Sequence, residues 1–516
     1  MSSILILGIV LSVQAQFYYP VEKDYTVFQV NNINAWITDY GSLYRNPITG
    51  NSGFEWPAGS NIYAIYAAGL WMGAQVEDQP RVAVAEYSYE FVPGTINPTT
   101  HLPNDPTDSS FRIYKIQKGI TSSWDYQNWP NQHGAPLDMQ GDPLFIGDQT
   151  LWTVFNDADS AQHVNMGSFP LGVEIQQTVF GFYLPQSQLG NVIFVRWLII
   201  NKGGRYLDSA YVTIWSDPDL GDAGDDLVGC DSSSSLGFCY NSSDFDWEYG
   251  DHPPAVGYLL LQGPVVASPG DTAIFMGRKK TDSKNLPMTS FIFWNASNAN
   301  NGNPQTPQDV YYYMQARWRD GTHVTYGGMG TNPNTPITNY MFSGDPVTGT
   351  GWIDIAPADR RFIMSSGPFS LALGDTQEVV FATLITRGTS NLNSVTQLKN
   401  VANTVQEYYK TELYKSLRSY NKPAGPPLGD RFGLFQNYPN PFNSRTTIKY
   451  QLPIARTVRL EIFNSAGQRV ATLVNEPREP DEYEVVWDAR GLASGIYFAR
   501  LKVAQYTFTK KLLYLK

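Results

Sequence analysis

The run Val192-Ile-Phe-Val-Arg-Trp-Leu-Ile-Ile200 decides the fold class. It is nine residues long, rich in β-branched and aromatic side chains, and apolar at consecutive positions rather than alternate ones. That is the signature of a strand covered on both faces. The turn-like Asn201-Lys-Gly-Gly204 follows, and Ala210-Tyr-Val-Thr-Ile-Trp215 then resumes the same character. A third such run, Glu378-Val-Val-Phe-Ala-Thr-Leu-Ile-Thr386, comes after the turn-forming pair Gly374-Asp375. Strands and helices do not alternate along the chain, so a parallel α/β fold is disfavoured and antiparallel sandwiches are expected. Only one long helix is predicted, over residues 394–417, where Val395, Leu398, Val401, Val405, Tyr408 and Tyr409 recur at helical spacing. The fold class is therefore all-β, with one or two sandwich domains ahead of that helix.

Composition agrees with an extracellular β-rich chain. Of the 516 residues, 42% are hydrophobic, enough to build cores, while only 16% are charged and 14% are aromatic. The 36 basic and 47 acidic residues give a net charge of −11, which repels nucleic-acid phosphates and anionic lipid head groups. Nucleic acid is excluded as a partner on that ground. A chain of this length exceeds one hydrophobic core and is expected to divide into domains.

Both ends carry features of export. Residues 4–13 form a short apolar run, and Val13-Gln14-Ala15 offers small residues where a signal peptidase reads, so residues 1–15 are expected to be a signal peptide cleaved before Gln16. The segment Met1-Ser2-Ser3 lacks the usual basic residue. The apolar run is too short to span a bilayer, and no other window approaches a membrane helix. Residues 421–429, Asn-Lys-Pro-Ala-Gly-Pro-Pro-Leu-Gly, have the composition of a stiff linker between a body at 16–420 and a terminal domain at 430–516.

The terminal domain shows short alternating strands. Val458, Leu460 and Ile462 share one face, a turn falls over 464–467, and Tyr483, Val485 and Trp487 alternate again, as in an immunoglobulin-like sandwich. Its ordered motifs are Leu434-Phe-Gln-Asn-Tyr-Pro-Asn-Pro-Phe-Asn443, Thr447-Ile-Lys-Tyr-Gln-Leu-Pro453, Ser494-Gly-Ile-Tyr-Phe-Ala-Arg-Leu501 and Lys510-Lys-Leu-Leu-Tyr-Leu-Lys516. Together they resemble the type A C-terminal sorting domain of type IX secretion cargo, and the related immunoglobulin-like module of flagellar hook-capping proteins shares part of the signature. One departure is Pro480-Asp-Glu-Tyr483, where the family usually has a glycine before the tyrosine. The resemblance implies a Gram-negative source and Sec export, then outer-membrane passage through the type IX machinery with residues 430–516 as the address. It also implies removal of that domain, with 423–429 as the cut zone, and often attachment to surface lipopolysaccharide. The protein is accordingly expected to be secreted or held on the outer cell surface. The body is similar to other large cargo carrying this tail, a resemblance that implies no activity.

Candidate chemistry in the body concentrates in an acidic stretch. Residues 206–277 contain no Lys or Arg but twelve Asp and Glu. Within it, Asp217, Asp219, Asp222, Asp225 and Asp226 have spacing that could supply oxygens to calcium, a hard ion that takes six to eight of them from flexible loops. The pattern is not an EF-hand: Gly221 stands where a ligand is expected and Val228 replaces the final glutamate. The alternative reading is a series of solvated turn aspartates. The only two cysteines, Cys230 and Cys239, lie nine positions apart and are expected to form a disulfide in an oxidising compartment.

No zinc-protease, serine-hydrolase or phosphate-loop motif occurs, and the five histidines are scattered. Four stretches place Trp in loop-like settings, Phe54-Glu-Trp-Pro57, Gly69-Leu-Trp-Met-Gly73, Trp124-Asp-Tyr-Gln-Asn-Trp-Pro130 and Gly147-Asp-Gln-Thr-Leu-Trp152, which suit either sandwich-end cores or a sugar-stacking platform. Two functions remain. The favoured one is a non-enzymatic adhesion, matrix or glycan-binding module held by calcium. The alternative is a secreted polysaccharide hydrolase using paired carboxylates, whose separation is a three-dimensional fact.

Overall fold

In the computed structural model, the described residues are 23–294, 301–419, 432–452, 456–478, 481–503 and 506–515. The expected signal peptide and the expected linker lie outside them. The chain forms two compact units, residues 1–421 and 422–516.

The body is built on two antiparallel sheets. One has ten strands and runs through Ser290–Trp294, Arg361–Leu371, Leu207–Asp217 and Ala67–Val76 before shorter N-terminal strands. The other has nine and runs Asp226–Asp231, Leu236–Asn241, Ala255–Gln262, Thr376–Thr386, Val192–Asn201, Val173–Gly181, Gln149–Asn156 and Val92–Pro93, with Tyr114–Gln117 also on Gln149–Asn156. The sheets face each other across one apolar core that includes Trp197, Ile214, Tyr258, Met364 and Phe381. Hydroxyl pairs tie the two layers inside that core: Tyr44 Oη to Thr383 Oγ1 at 2.8 Å, and Ser216 Oγ to Tyr258 Oη at 2.9 Å.

The consecutive apolar run at 192–200 now has its cause. Ile193, Val195, Trp197 and Ile199 point into the sandwich, while Val192 and Phe194 belong to a second apolar layer with Val380, Ala382 and Leu384. The long helix covers this second layer. It spans Asn391–Tyr408, is capped by the Ser390 hydroxyl accepting from the Asn393 amide, and continues as a π-helical turn, Tyr409–Leu413, and a final helical turn, Tyr414–Ser416. Its stripe of Val395, Leu398, Val401, Ala402 and Val405 is buried there, at roughly 1.5–3 kcal/mol for each of the larger side chains.

Arg196, the one charge in the run, sits on the same helix-covered layer. Its Nε is 2.6 Å from Glu378 Oε1, and both side chains are almost fully buried. Gln262 Nε2 donates to Glu378 Oε2 at 2.7 Å, and the Tyr409 hydroxyl on the helix donates to Gln262 Oε1 at 2.6 Å. A buried charge is tolerated when it is paired and hydrogen-bonded in this way.

The outer face of the ten-stranded sheet carries Trp71, Trp215 and Trp294, with Trp71 stacked on Trp215 at 6.4 Å and 10°. Residues 301–360 pack over it through Tyr311, Tyr313, Met314 and Trp318. Gly73 permits that approach, since a Cβ there would fall 2.8 Å from Met314 Sδ and 3.1 Å from the Tyr311 ring.

The C-terminal unit is an immunoglobulin-like sandwich. A three-stranded sheet, Gly433–Leu434, Arg445–Leu452 and Asp481–Asp488, faces a four-stranded one ordered Arg469–Arg478, Arg456–Asn464, Gly495–Val503, Tyr506–Tyr514. Val458, Leu460, Ile462, Trp487, Tyr497 and Tyr514 fill its core. The turn after the Arg456–Asn464 strand is closed by the Asn464 side chain, which accepts from the Ala466 and Gln468 amides, with Gly467 at φ 77°.

Candidate functional site

Asp217 ends the Leu207–Asp217 strand, and Asp219 follows it after Pro218. The neighbouring strand Arg361–Leu371 pairs Ser216 with Phe362, so the residues just before that strand are brought alongside. Asp359 arrives in this way. One carboxylate oxygen each from Asp217, Asp219 and Asp359 lie within 4.8 Å of one another, the only such group of potential metal ligands among the described residues.

A single guanidinium stands among the three. Arg361 Nη2 is 3.7 Å from Asp217 Oδ2 and 3.3 Å from Asp359 Oδ2, while its Nε donates to the Tyr87 hydroxyl at 2.7 Å. That hydroxyl donates in turn to Asp217 Oδ2 at 2.6 Å. Asp217 is only 3% exposed, and its other oxygen, Oδ1, has no hydrogen-bond partner. Burial pushes the Asp217 carboxyl up to about 6, against the pull of Arg361 and the Tyr87 hydrogen bond. Burial, reinforced by the Asp217 charge, lifts Asp219 to about 7. Glu86 is close enough to feel Asp217 and is lifted to about 8, mainly by burial and then by Glu90. Three carboxylates facing one cation, one buried, one half-buried and one exposed, leave an excess of negative charge, an arrangement that favours either protons or a metal ion.

The other three acids of the expected ligand set lie apart from this cluster. Asp222 turns back on its own chain, its Oδ1 accepting from the Gly224 amide at 2.9 Å to cap a 3-10 turn. Asp225 accepts from Asn241 Nδ2. Asp226 is buried, accepts from the Leu220 amide at 3.2 Å, and is driven well above its ordinary range mainly by that burial. These residues order the turn between two strands, whereas Asp359, 140 positions beyond Asp219, is the carboxylate of the cluster that spacing did not reveal.

The expected Cys230–Cys239 disulfide is not formed; both are free, buried thiols. They sit on paired strands, but the register sets Cys230 opposite Gly237 and Cys239 opposite Val228. The two sulfurs are therefore diagonal neighbours, and diagonal side chains in a sheet stand about 7–8 Å apart at Cα, beyond ordinary disulfide geometry. Cys230 Sγ donates to the Met341 carbonyl at 3.3 Å. Burial raises both thiols, Asp231 adding for Cys230 and Asp226 for Cys239.

Of the four tryptophan stretches, three are core. Trp56, Trp71 and Trp152 are buried, as is Trp129 within the third stretch, while Trp124 at its start is 57% exposed. A second exposed indole, Trp247 at 80%, packs edge-on against Phe245 and carried no sequence signal. Among the described residues the histidines form no triad. His163 lies buried between Glu90 and Asp157, at 3.8 and 3.6 Å, but both carboxylates are already engaged by backbone amides, Val84 and Met166 on Glu90, Leu171 and Val173 on Asp157. This is a staple for the loop after residue 156.

Residues 436–514 match the family described as the secretion system C-terminal sorting domain. No curated protein matches the chain. Solved structures similar to it include a polysaccharide lyase, at 6% identity and a TM-score of 0.26, covering 96% of this chain and 46% of that one. Another is PorZ, described as an essential bacterial surface component of the type IX secretion system of Porphyromonas gingivalis, at 11% identity and a TM-score of 0.14, covering 74% of this chain and 44% of that one. The chain thus spans less than half the length of either, and the likenesses are too low to bear on its activity. The tail is that of type IX secretion cargo, which implies contact with the secretion machinery and a secreted or outer-surface location. No described helix is long and apolar enough to cross a membrane.

Proposed function

We propose that the body is a non-enzymatic binding module of the outer surface or extracellular matrix, stabilised by a calcium ion at Asp217, Asp219 and Asp359. The observation that supports it is the convergence of three carboxylates on one guanidinium, with a buried Asp217 oxygen left unpartnered. The donor set is all oxygen, as calcium requires, and the exposed Asp359 leaves room for water to complete the shell. The ion would supply the positive charge that the lone Arg361 does not. Residues 430–516 deliver the module through the type IX machinery, and surface lipopolysaccharide or extracellular glycan is the proposed partner once outside.

Thermal unfolding of the full chain in millimolar calcium, against the same chain in chelator, tests the reading. Calcium at a hundred times its Kd stabilises by about 2.7 kcal/mol, a shift of several degrees in Tm. Asp217→Asn with Asp219→Asn should remove the difference. An unchanged midpoint, with no calcium found by elemental analysis, defeats the proposal.

The raised carboxyls of Asp217 and Asp219 also suit a second reading, an acid and base for polysaccharide hydrolysis. Asp217, however, is buried and already holds Tyr87, which argues against direct access to a sugar. Release of reducing ends from polysaccharide by the full chain, lost in Asp217→Asn, would favour it.

A further inference from the structure

We propose that the body carries a saccharide-binding site built on Trp124 and Arg112, for a neutral sugar ring; the inference rests on the binding-module reading and names its ligand class. Trp124 is the exposed member of a stacked pair. Its ring lies 6.1 Å from that of Tyr114 at 16°, and Tyr114 is buried against Trp129, so the indole is supported from behind and open in front. The Ser123 hydroxyl, accepting from the Tyr126 amide, fixes the turn that presents it.

Arg112 connects this platform to a groove. Its guanidinium carbon is 5.1 Å from the centre of the Trp124 ring and 5.6 Å from that of Tyr114, which holds the fork in place. The nearest carboxylates, Asp125 at 3.5 Å and Asp24 at 3.9 Å, are at or beyond the limit of a direct hydrogen bond. Arg112 Nε, though buried, has no hydrogen-bond partner. The groove itself measures about 380 Å³, and Lys23, Asp24, Thr107, Asp108, Ser109 and Arg112 contribute to its lining.

The chemistry of these groups selects the ligand. A flat exposed ring offers its face to the C–H face of a pyranose, and the groove beside it offers donors and acceptors for the hydroxyls on the sugar's edge. Two cations and two carboxylates line the groove, so it carries no net charge of its own, and the chain as a whole stands at −11. A polyanionic glycan would meet an unfavourable long-range field. A neutral hexose or pentose fits both facts.

The full chain is assayed by affinity electrophoresis in gels containing a neutral β-glucan, a mannan, a galactan or a xylan, with a polyuronate as the anionic comparison. The parent should be retarded by at least one neutral polymer. Trp124→Ala and Arg112→Ala should each weaken retardation about tenfold, the equivalent of ~1.4 kcal/mol, while Trp124→Tyr retains most of it and Trp247→Ala all of it. Unaltered thermal midpoints show that the variants fold, as expected for an indole already 57% exposed. Retardation that survives both Trp124→Ala and Arg112→Ala overturns this site and leaves the binding-module reading intact. Retardation by the polyuronate alone overturns the neutral class. No retardation in any gel overturns the site altogether, and the calcium-dependent midpoint then judges the broader reading separately.

Discussion

Raising the pH from 4 to 8 in the presence of chelator should weaken the fold through Asp217 and Asp219. Both carboxyls start from an ordinary value of 3.8, and burial is the largest cause of their displacement, to about 6 and about 7. A carboxyl raised in this way holds its proton more tightly in the folded chain than in the unfolded one. Its stabilising contribution is whole below the unfolded value near 4 and is lost as the pH climbs through 6 and 7. For Asp217 the displacement is about two pH units, each worth ~1.4 kcal/mol, so roughly 3 kcal/mol disappears across the window. Asp219 is displaced further, but its rise depends partly on Asp217 being charged, so the two contributions do not add.

The assay is urea unfolding of the full chain at both pH values, parent against Asp217→Asn with Asp219→Asn. Other displaced acids lose stability in the same direction in both proteins, and Glu86, at about 8, does so nearly equally, because Asp217 is the smallest cause of its rise. The difference between parent and variant isolates the pair. The parent should lose at least about 3 kcal/mol more than the variant, the share of Asp217 alone, and calcium should erase that excess, because the ion replaces the protons. Parallel loss in the two proteins would refute the reasoning, whatever the absolute stabilities.

Two further outcomes follow from the rest of the structure. Deleting residues 430–516 should leave the body folded in the periplasm, since the tail forms its own compact unit and carries the address, and the same tail fused to a reporter should take it to the surface; normal secretion of the truncated chain contradicts this. Cys230 and Cys239 should resist alkylation in native protein and both react after unfolding without reductant, because each is a buried free thiol; a single cross-linked species by mass spectrometry contradicts that.

The sheets were legible because their cause is local. A nine-residue run at 192–200 that is apolar at every position but Arg196 needs two covered faces, and the structure covers it with a second sheet on one side and the predicted helix on the other. Arg196 in the middle of that run was not interpretable, since its partner Glu378 lies 182 positions later and arrives only through the pairing of Val192–Asn201 with Thr376–Thr386. The same limit applies to Asp359. Alternation brought Asp217 and Asp219 into view, but the third carboxylate depends on a ladder between strands that begin 154 residues apart, at 207 and 361. The cysteines failed for a subtler reason. Nine positions suggest closeness, and closeness was right, yet the hairpin register places the two thiols on a diagonal, where no pattern of spacing could distinguish contact from near miss.

The acidic stretch from 206 to 277, which contains no basic residue, asks what neutralises twelve carboxylates, and the structure answers differently along its length. Asp246 is buried yet accepts from the Asp222, Glu248 and Tyr249 amides and from Asn241. Asp244 accepts from the Asn391 amide and faces His252, and Asp231 takes the amide and hydroxyl of Ser233. Such acids need no cation, because amides pointed at a carboxylate stabilise its charge at short range. Asp217 is the contrast. It closes a strand whose amides are spent on two neighbouring ladders, so no turn folds back to serve it, and its help comes instead from Tyr87 and Arg361, borrowed from elsewhere in the chain. Asp219 and Asp359 share that one guanidinium's neighbourhood. Asp226 also keeps one buried oxygen without a partner, but only at 217, 219 and 359 among the described residues do three carboxylate oxygens converge, and it is there that we propose the cation.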